Sequence, residues 1–130
     1  MSMNNPLASV LSRIQNAEKI GKREFITLSN SKVIKAVLEI CKSEGFIAGF
    51  EEIEDKKGNT LRVLLNGNVN KVGVVTPNFT VQRDNFEMFE KRYLPAKDFG
   101  VLIITTNKGI MTHKQAKEQK LGGKLLAYAY

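Results

Sequence analysis

Four consecutive apolar residues, Val101-Leu102-Ile103-Ile104, three of them β-branched, predict a strand buried on both faces. Any fold containing it must lay other elements above and below. The run ends in Thr105-Thr106-Asn107-Lys108-Gly109, where two hydroxyls, an amide and an ammonium gather as the chain turns. Thr112 then begins a helix, because Gln115 stands three residues on, the spacing of a capping box. Leu121-Gly122-Gly123 is expected to stop that helix through the left-handed conformation open to glycine. Residues 124–130 follow as a second apolar strand. The expectation for residues 100–130 is a strand, a polar loop, a short basic helix, a glycine pair and a strand, with the loop held rigidly at one edge of a sheet.

Charge says what such a loop could meet. The chain carries 20 Lys and Arg against 13 Asp and Glu, a formal charge of +7. Residues 1–65 hold ten basic and eight acidic side chains, residues 66–130 ten and five, so the excess lies towards the C-terminus. From Phe99 onward Lys108, Lys114, Lys117, Lys120 and Lys124 face Glu118 alone. This points to nucleic acid or another acidic partner. Lysines supply the sequence-independent attraction to phosphate, and short hydroxyl and amide side chains can approach base edges or ribose hydroxyls. A solvated helix face and strand-forming threonines would give the same composition.

The rest of the chain reads in order. Asn5 caps a first helix with Pro6 at its first position, and Leu7, Val10, Leu11 and Ile14 form its core stripe. Arg13 lies outside the stripe. Lys19, Lys22 and Arg23 surround Gly21 at the helix end, where cations complement the helix dipole or reach RNA phosphates. Residues 24–28 are a strand. Ser29-Asn30-Ser31 offers caps for a second helix bearing Val33, Ile34, Val37, Leu38 and Cys41, which Gly45 ends. Residues 46–53 and 60–65 make a hairpin, with Leu61, Val63 and Leu65 turned towards the helices. Asn66-Gly67-Asn68-Val69-Asn70 is a polar, turn-rich junction too short for a free linker. Beyond it, residues 71–75 and 79–82 read as strand interrupted at Pro77. Asp84 can cap a short helix carrying Phe86, Phe89 and Tyr93, closed by Pro95. Those rings are core residues or RNA-stacking platforms.

The fold expected is α+β in two small subdomains. Residues 1–66 form a helix–strand–helix–hairpin layer, and residues 67–130 a mostly β subdomain with a strand–helix–strand end.

Other chemistry finds little support. Cys41 is the single cysteine and falls on an apolar helix face, which predicts a buried, inert thiol and no disulfide or cysteine-built zinc site. No stretch is long and apolar enough to span a membrane, and Met1-Ser2-Met3-Asn4-Asn5 lacks the features of a signal peptide, so a cytoplasmic location is expected. His113 is the only histidine, and no catalytic triad can be built without another base. Glu51, Glu52, Glu54 and Asp55 cluster beside a turn without the spacing of a dedicated ion loop. Gly122-Gly123-Lys124 ends a helix and precedes a strand, the reverse of a P-loop.

Thr105-Thr106-Asn107-Lys108-Gly109-Ile110-Met111-Thr112-His113, followed by Ala116 and Gly122-Gly123, resembles the C-terminal signature of the family of the eighth protein of the small ribosomal subunit. Residues 89–100 and the aromatic end Tyr128-Ala129-Tyr130 are similar to its archaeal and eukaryotic branch, most of all to archaeal members. So are Asn5-Pro6-Leu7-Ala8, Asn16-Ala17-Glu18 and Gly21-Lys22-Arg23. The resemblance covers nearly the whole chain. It implies a structural constituent of the small ribosomal subunit, without enzymatic activity or cofactor. Such a protein is a primary binder that orders the central domain of the ribosomal RNA during assembly, beside neighbouring ribosomal proteins. A stand-alone regulator acting on its own messenger through the same surface is the alternative, and a metal-dependent hydrolase would need the acidic cluster to take up a cation. The RNA-binding residues so expected are Thr105, Thr106, Asn107, Lys108, Gly109, Gly122, Gly123, Lys124, Asn5, Arg13 and Lys32. The family usually has serine, or sometimes threonine, where this chain has Thr105 and Asn107. Asparagine keeps an acceptor and gains two donors in exchange for bulk.

Overall fold

The computed structural model describes residues 6–27, 31–55, 58–75, 80–82, 86–95 and 99–130, leaving out the side chains of residues 55, 58 and 59. The chain divides into two compact units, Met1–Val72 and Gly73–Tyr130. The α+β class is borne out, with four helices and eight strands in two sheets among the described residues.

The first unit runs α1 (Pro6–Lys19), β1 (Glu24–Thr27), α2 (Lys32–Ser43), β2 (Ile47–Asp55) and β3 (Gly58–Leu65). Its sheet is antiparallel in the order β1-β3-β2, with Phe25 opposite Val63 and Thr27 opposite Leu61. The helices pack on each other, α1 against β1 and α2 against β2. Leu7, Val10, Leu11 and Ile14 of α1 are buried together with Ile34, Val37, Leu38 and Cys41 of α2 and Leu61, Val63 and Leu65 of β3. Burying each aliphatic side chain contributes about 2 kcal/mol, so these two helical stripes and one strand face supply most of what holds this unit together. Of the candidate caps of α2, Ser31 fills the role, its hydroxyl accepting the Ile34 N–H at 3.2 Å. Ser29, Asn30 and the α1 cap Asn5 lie outside the described residues. The Cys41 thiol is pushed up to about 12 by burial and then by the Glu44 charge, which keeps it protonated and unreactive.

Glu51 and Glu52 of the acidic cluster, and the polar junction, have local partners. Arg62 lies between Glu24 and Glu51 at 3.4 and 3.5 Å, and Lys35 pairs with Glu52 at 3.0 Å. No group of three or more potential metal ligands occurs among the described residues. The Asn66 and Asn68 amides donate to the Gly45 carbonyl, and the Glu18 carboxylate accepts the Gly67 and Val69 N–H groups. These bonds tie residues 66–69 onto the first unit.

The second unit holds the sheet that carries the site. In chain order come β4 (Val72–Val74), β5 (Thr80–Val81), α3 (Phe86–Tyr93), β6 (Val101–Thr106), β7 (Gly109–Thr112), α4 (His113–Gln119) and β8 (Gly123–Ala129). The strand order is β4-β8-β6-β7, with β5 also paired to β8. Val101, Leu102, Ile103 and Ile104 are each at most 1 % exposed, as a strand covered on both faces requires. Leu102, Ile104, Met111 and Leu125 form one core cluster with Phe86, Phe89 and Ala116. Pro77, Phe79 and Asp84 lie outside the described residues.

Two details depart from expectation. Residues 105 and 106 continue β6, so the polar segment is the end of a hairpin and not an open loop. The helix that follows ends on Lys120, in the left-handed conformation at φ 57°, ahead of the glycine pair. Lys120 N–H bonds to the Lys117 carbonyl at 3.1 Å and Leu121 N–H to the Ala116 carbonyl at 2.9 Å, and the Leu121 side chain closes over the core. The partly buried Leu121 packs on the core just past the left-handed residue, the hydrophobic contact that often accompanies such a helix end.

Candidate RNA interface

The hairpin of β6 and β7 pairs Thr105 with Ile110 and Thr106 with Gly109, leaving Asn107 and Lys108 at the tip. Lys120 is the only described non-glycine residue with positive φ, so Asn107 and Lys108 keep negative values and the excursion falls on Gly109, at φ +118°. This is how a type I turn closes a hairpin through a glycine, and it explains why position 109 needs one. The Thr106 hydroxyl fastens the turn from inside: it donates to the Gly109 carbonyl at 2.9 Å and accepts the Lys108 N–H at 3.1 Å. Asn107 and Lys108 project into solvent, and among the described residues nothing bonds to their side chains or to the Thr105 hydroxyl.

The other side of the site is the start of β8. Thr105 stands opposite Lys124. A Cβ on Gly123 would lie 2.0 Å from the Thr105 carbonyl oxygen and 3.2 Å from Thr106 Cγ2, so only glycine lets the two strands meet at this spacing. Residues 105–109 and 122–124, far apart in sequence, thereby form one surface. Lys108 and Lys124 are both exposed beside the hydroxyl and amide groups. The surface combines two cations with short uncharged donors and acceptors on a backbone fixed by pairing. It can bind phosphates and ribose or base edges, and it offers no nucleophile with a base.

The base of the hairpin is pinned by a buried polar cluster. Thr112 caps α4 as predicted: its hydroxyl accepts the Gln115 N–H, and the Gln115 side chain accepts the Thr112 N–H at 3.1 Å. The next residue, His113, is 1 % exposed, and its Nδ1 accepts the Leu102 N–H at 3.0 Å, extending the β6–β7 ladder by one bond. The ring proton therefore sits on Nε2, which faces Glu90 Oε1 at 3.5 Å. Glu90, 4 % exposed on α3, also takes the Lys117 ammonium from α4. Burial above all lowers the His113 pKa; the Glu90 charge opposes that shift, and Lys117 and Lys114 reinforce it.

Arg13 and Lys32 are exposed on the first unit, the Arg13 guanidinium lying 5.0 Å from the centre of the Phe25 ring. Asn5 is outside the described residues. Lys117, counted among the cations of the tail, is engaged by Glu90. Phe86 and Phe89 are core residues, and half-buried Tyr93 stacks on Tyr128 at 5.6 Å, so the rings of α3 pack as core residues. Glu90 is a site residue outside the sequence expectations, although its position signals it. Phe86, Phe89, Glu90 and Tyr93 follow the i, i+3, i+4, i+7 pattern, and an acid on such a stripe must have a buried partner.

The sequence model of the family described as Ribosomal protein S8 matches residues 5–130.

Proposed function

The chain belongs to the ribosomal protein S8 family, and from that premise we propose that it is a primary binder that orders the central domain of small-subunit ribosomal RNA during assembly. Membership makes it a small-subunit ribosomal protein that binds ribosomal RNA among other ribosomal proteins. The observation that supports the finer reading is the single surface built from residues 105–109 and 122–124. Its backbone is set by strand pairing and by an internal hydroxyl clamp before any RNA arrives. A preformed surface loses little conformational entropy on binding, so it can select one RNA shape from a fluctuating set.

In this reading Thr105 and Asn107 meet ribose or base edges in a shallow minor groove or an irregular internal loop, and Lys108 and Lys124 neutralise flanking phosphates. Arg13 and Lys32 add phosphate contacts from the first unit, and Asn5 belongs to the same set through the family resemblance. The site of action is a cytoplasmic ribosome.

The test is hydroxyl-radical footprinting of the purified chain on protein-free small-subunit RNA. Protection confined to the central domain, with no other ribosomal protein present, is the expected result. Protection that needs other proteins, or that lies in another domain, overturns the reading.

A further inference from the structure

We propose that Glu90 is a positioning residue for the RNA surface: from α3 it holds the His113 ring, the ring holds the corner between β7 and α4 against β6, and protonation of that ring loosens the hairpin and weakens RNA binding. This rests on the reading of residues 105–109 and 122–124 as the RNA interface and adds the part of the molecule that sets its shape.

The hairpin needs such support because β7 is the end strand of the order β4-β8-β6-β7 and is only four residues long. Its ladder joins it to β6 on one side, so its register depends on how its two ends are held. At the turn the Thr106 hydroxyl closes on the Gly109 carbonyl. At the other end Thr112 stands opposite Ile103, and Nδ1 of His113 accepts the Leu102 N–H at 3.0 Å. From there four paired positions, 112 to 109, lead along β7 to the neighbour of Lys108. A displaced ring therefore shifts the strand that carries one side of the RNA surface.

A buried charge places the ring. Nε2 of His113 faces Glu90 Oε1 at 3.5 Å, and Glu90, itself buried, also takes the Lys117 ammonium. The other charges of α3 are turned elsewhere: Glu87 pairs with Lys91 at 3.7 Å, and Arg92 lies over the Tyr93 ring. α4 packs on β6 and β7, which carry no titratable side chain. The groups acting on the ring are thus Glu90 from α3, Lys114 and Lys117 from α4, and the Leu102 N–H from β6. The neutral ring satisfies its surroundings, with one nitrogen accepting from β6 and the other donating towards α3. A second ring proton, on Nδ1, would point at the Leu102 N–H and break the bond that holds the corner. Of the charged side chains, Glu90 alone favours that proton.

The experiment measures affinity for a central-domain ribosomal RNA fragment between about pH 7.5 and 5 for the wild type, His113→Gln, Glu90→Gln and Glu90→Ala. Exchange of the Leu102 amide is read by NMR on the free chains at neutral pH. Wild-type affinity should fall with pH, by at most about tenfold per unit, the limit for one proton. His113→Gln should lose this dependence, whatever its affinity at neutral pH. Glu90→Gln keeps an acceptor for Nε2–H and removes the charge that favours ring protonation. Its neutral-pH affinity should stay within about threefold of wild type, and its fall should begin at a lower pH. Glu90→Ala leaves the ring unheld, so at neutral pH binding should weaken and Leu102 exchange quicken, each about tenfold. A Glu90 that merely stabilised the fold would leave the pH profile of binding where it is. Three results each overturn the proposal: parallel profiles for the wild type and His113→Gln, a fall in Glu90→Gln that begins where the wild type's does, or wild-type affinity and exchange in Glu90→Ala. Equal affinity of the wild type for an unrelated duplex overturns the RNA half through its premise, and Leu102 exchange, read without RNA, still judges the hold on the ring.

Discussion

Lys120 holds a backbone angle that costs a non-glycine residue about 1 kcal/mol, because its Cβ crowds the following carbonyl. Replacing Lys120 by glycine should therefore raise the free energy of unfolding by about 1 kcal/mol, measured by urea denaturation. A destabilised variant would mean that the lysine side chain contributes more than its backbone angle costs. The residue scale also shows where sequence is legible. Thr112 and Gln115 announced the start of α4, since a capping box is a local hydrogen-bond pattern with a fixed spacing. The end of α4 coincides with the packing of partly buried Leu121 on the core, a tertiary contact that no local pattern encodes. The glycine pair does not end α4; Gly123 is needed instead for the approach of β8 to Thr105.

At the scale of elements, α3 and α4 are fastened to β6 through Glu90, His113 and Lys117. Removing the Lys117 ammonium leaves the Glu90 carboxylate buried and short of a partner, so Lys117→Met should destabilise the chain by about 2 kcal/mol in the same assay. A neutral outcome would show the pair to be dispensable. His113 adds a dependence on pH. Its Nδ1 already accepts the Leu102 N–H, so a second ring proton would set donor against donor. Burial lowers its folded pKa below the ordinary 6.5 despite Glu90 nearby, with Lys117 and Lys114 acting in the same direction as burial. The unfolded chain then binds a proton that the folded chain refuses. The His113 contribution is accordingly complete above about pH 6.5 and is lost progressively as pH falls below it. Between about pH 7 and 5 the stability of the wild type should fall more steeply than that of His113→Gln. Parallel curves would contradict this account. None of this cluster was visible as a cluster in the sequence, because residues 90, 113 and 117 lie on two helices whose packing is a tertiary matter. The strands and amphipathic helices were visible, because periodicity and turn residues encode them locally.

At the scale of the molecule, the proposed reading of the surface as an RNA interface implies two sources of affinity that respond differently to salt. In the proposed reading Lys108 and Lys124, both exposed, act through phosphates, so replacing both by alanine should weaken binding to all RNAs alike and flatten the dependence on salt, by about one in log–log slope for each phosphate no longer neutralised. An effect confined to one RNA sequence would show them reading bases instead. In the same proposed reading the hydroxyl and amide groups of residues 105 and 107 act through shape and hydrogen bonding, which salt screens far less. The turn and its lysines were legible as a motif in the sequence, whereas the closeness of Gly123 to Thr105 was not, since pairing between β6 and β8 spans some twenty residues of chain. The most direct test of the account is equilibrium binding of the wild-type chain to a central-domain ribosomal RNA fragment and to a length-matched unrelated duplex, across a range of salt concentrations. Binding to the ribosomal fragment is expected to persist at high salt while binding to the duplex is lost. Equal, salt-labile binding to both would contradict it.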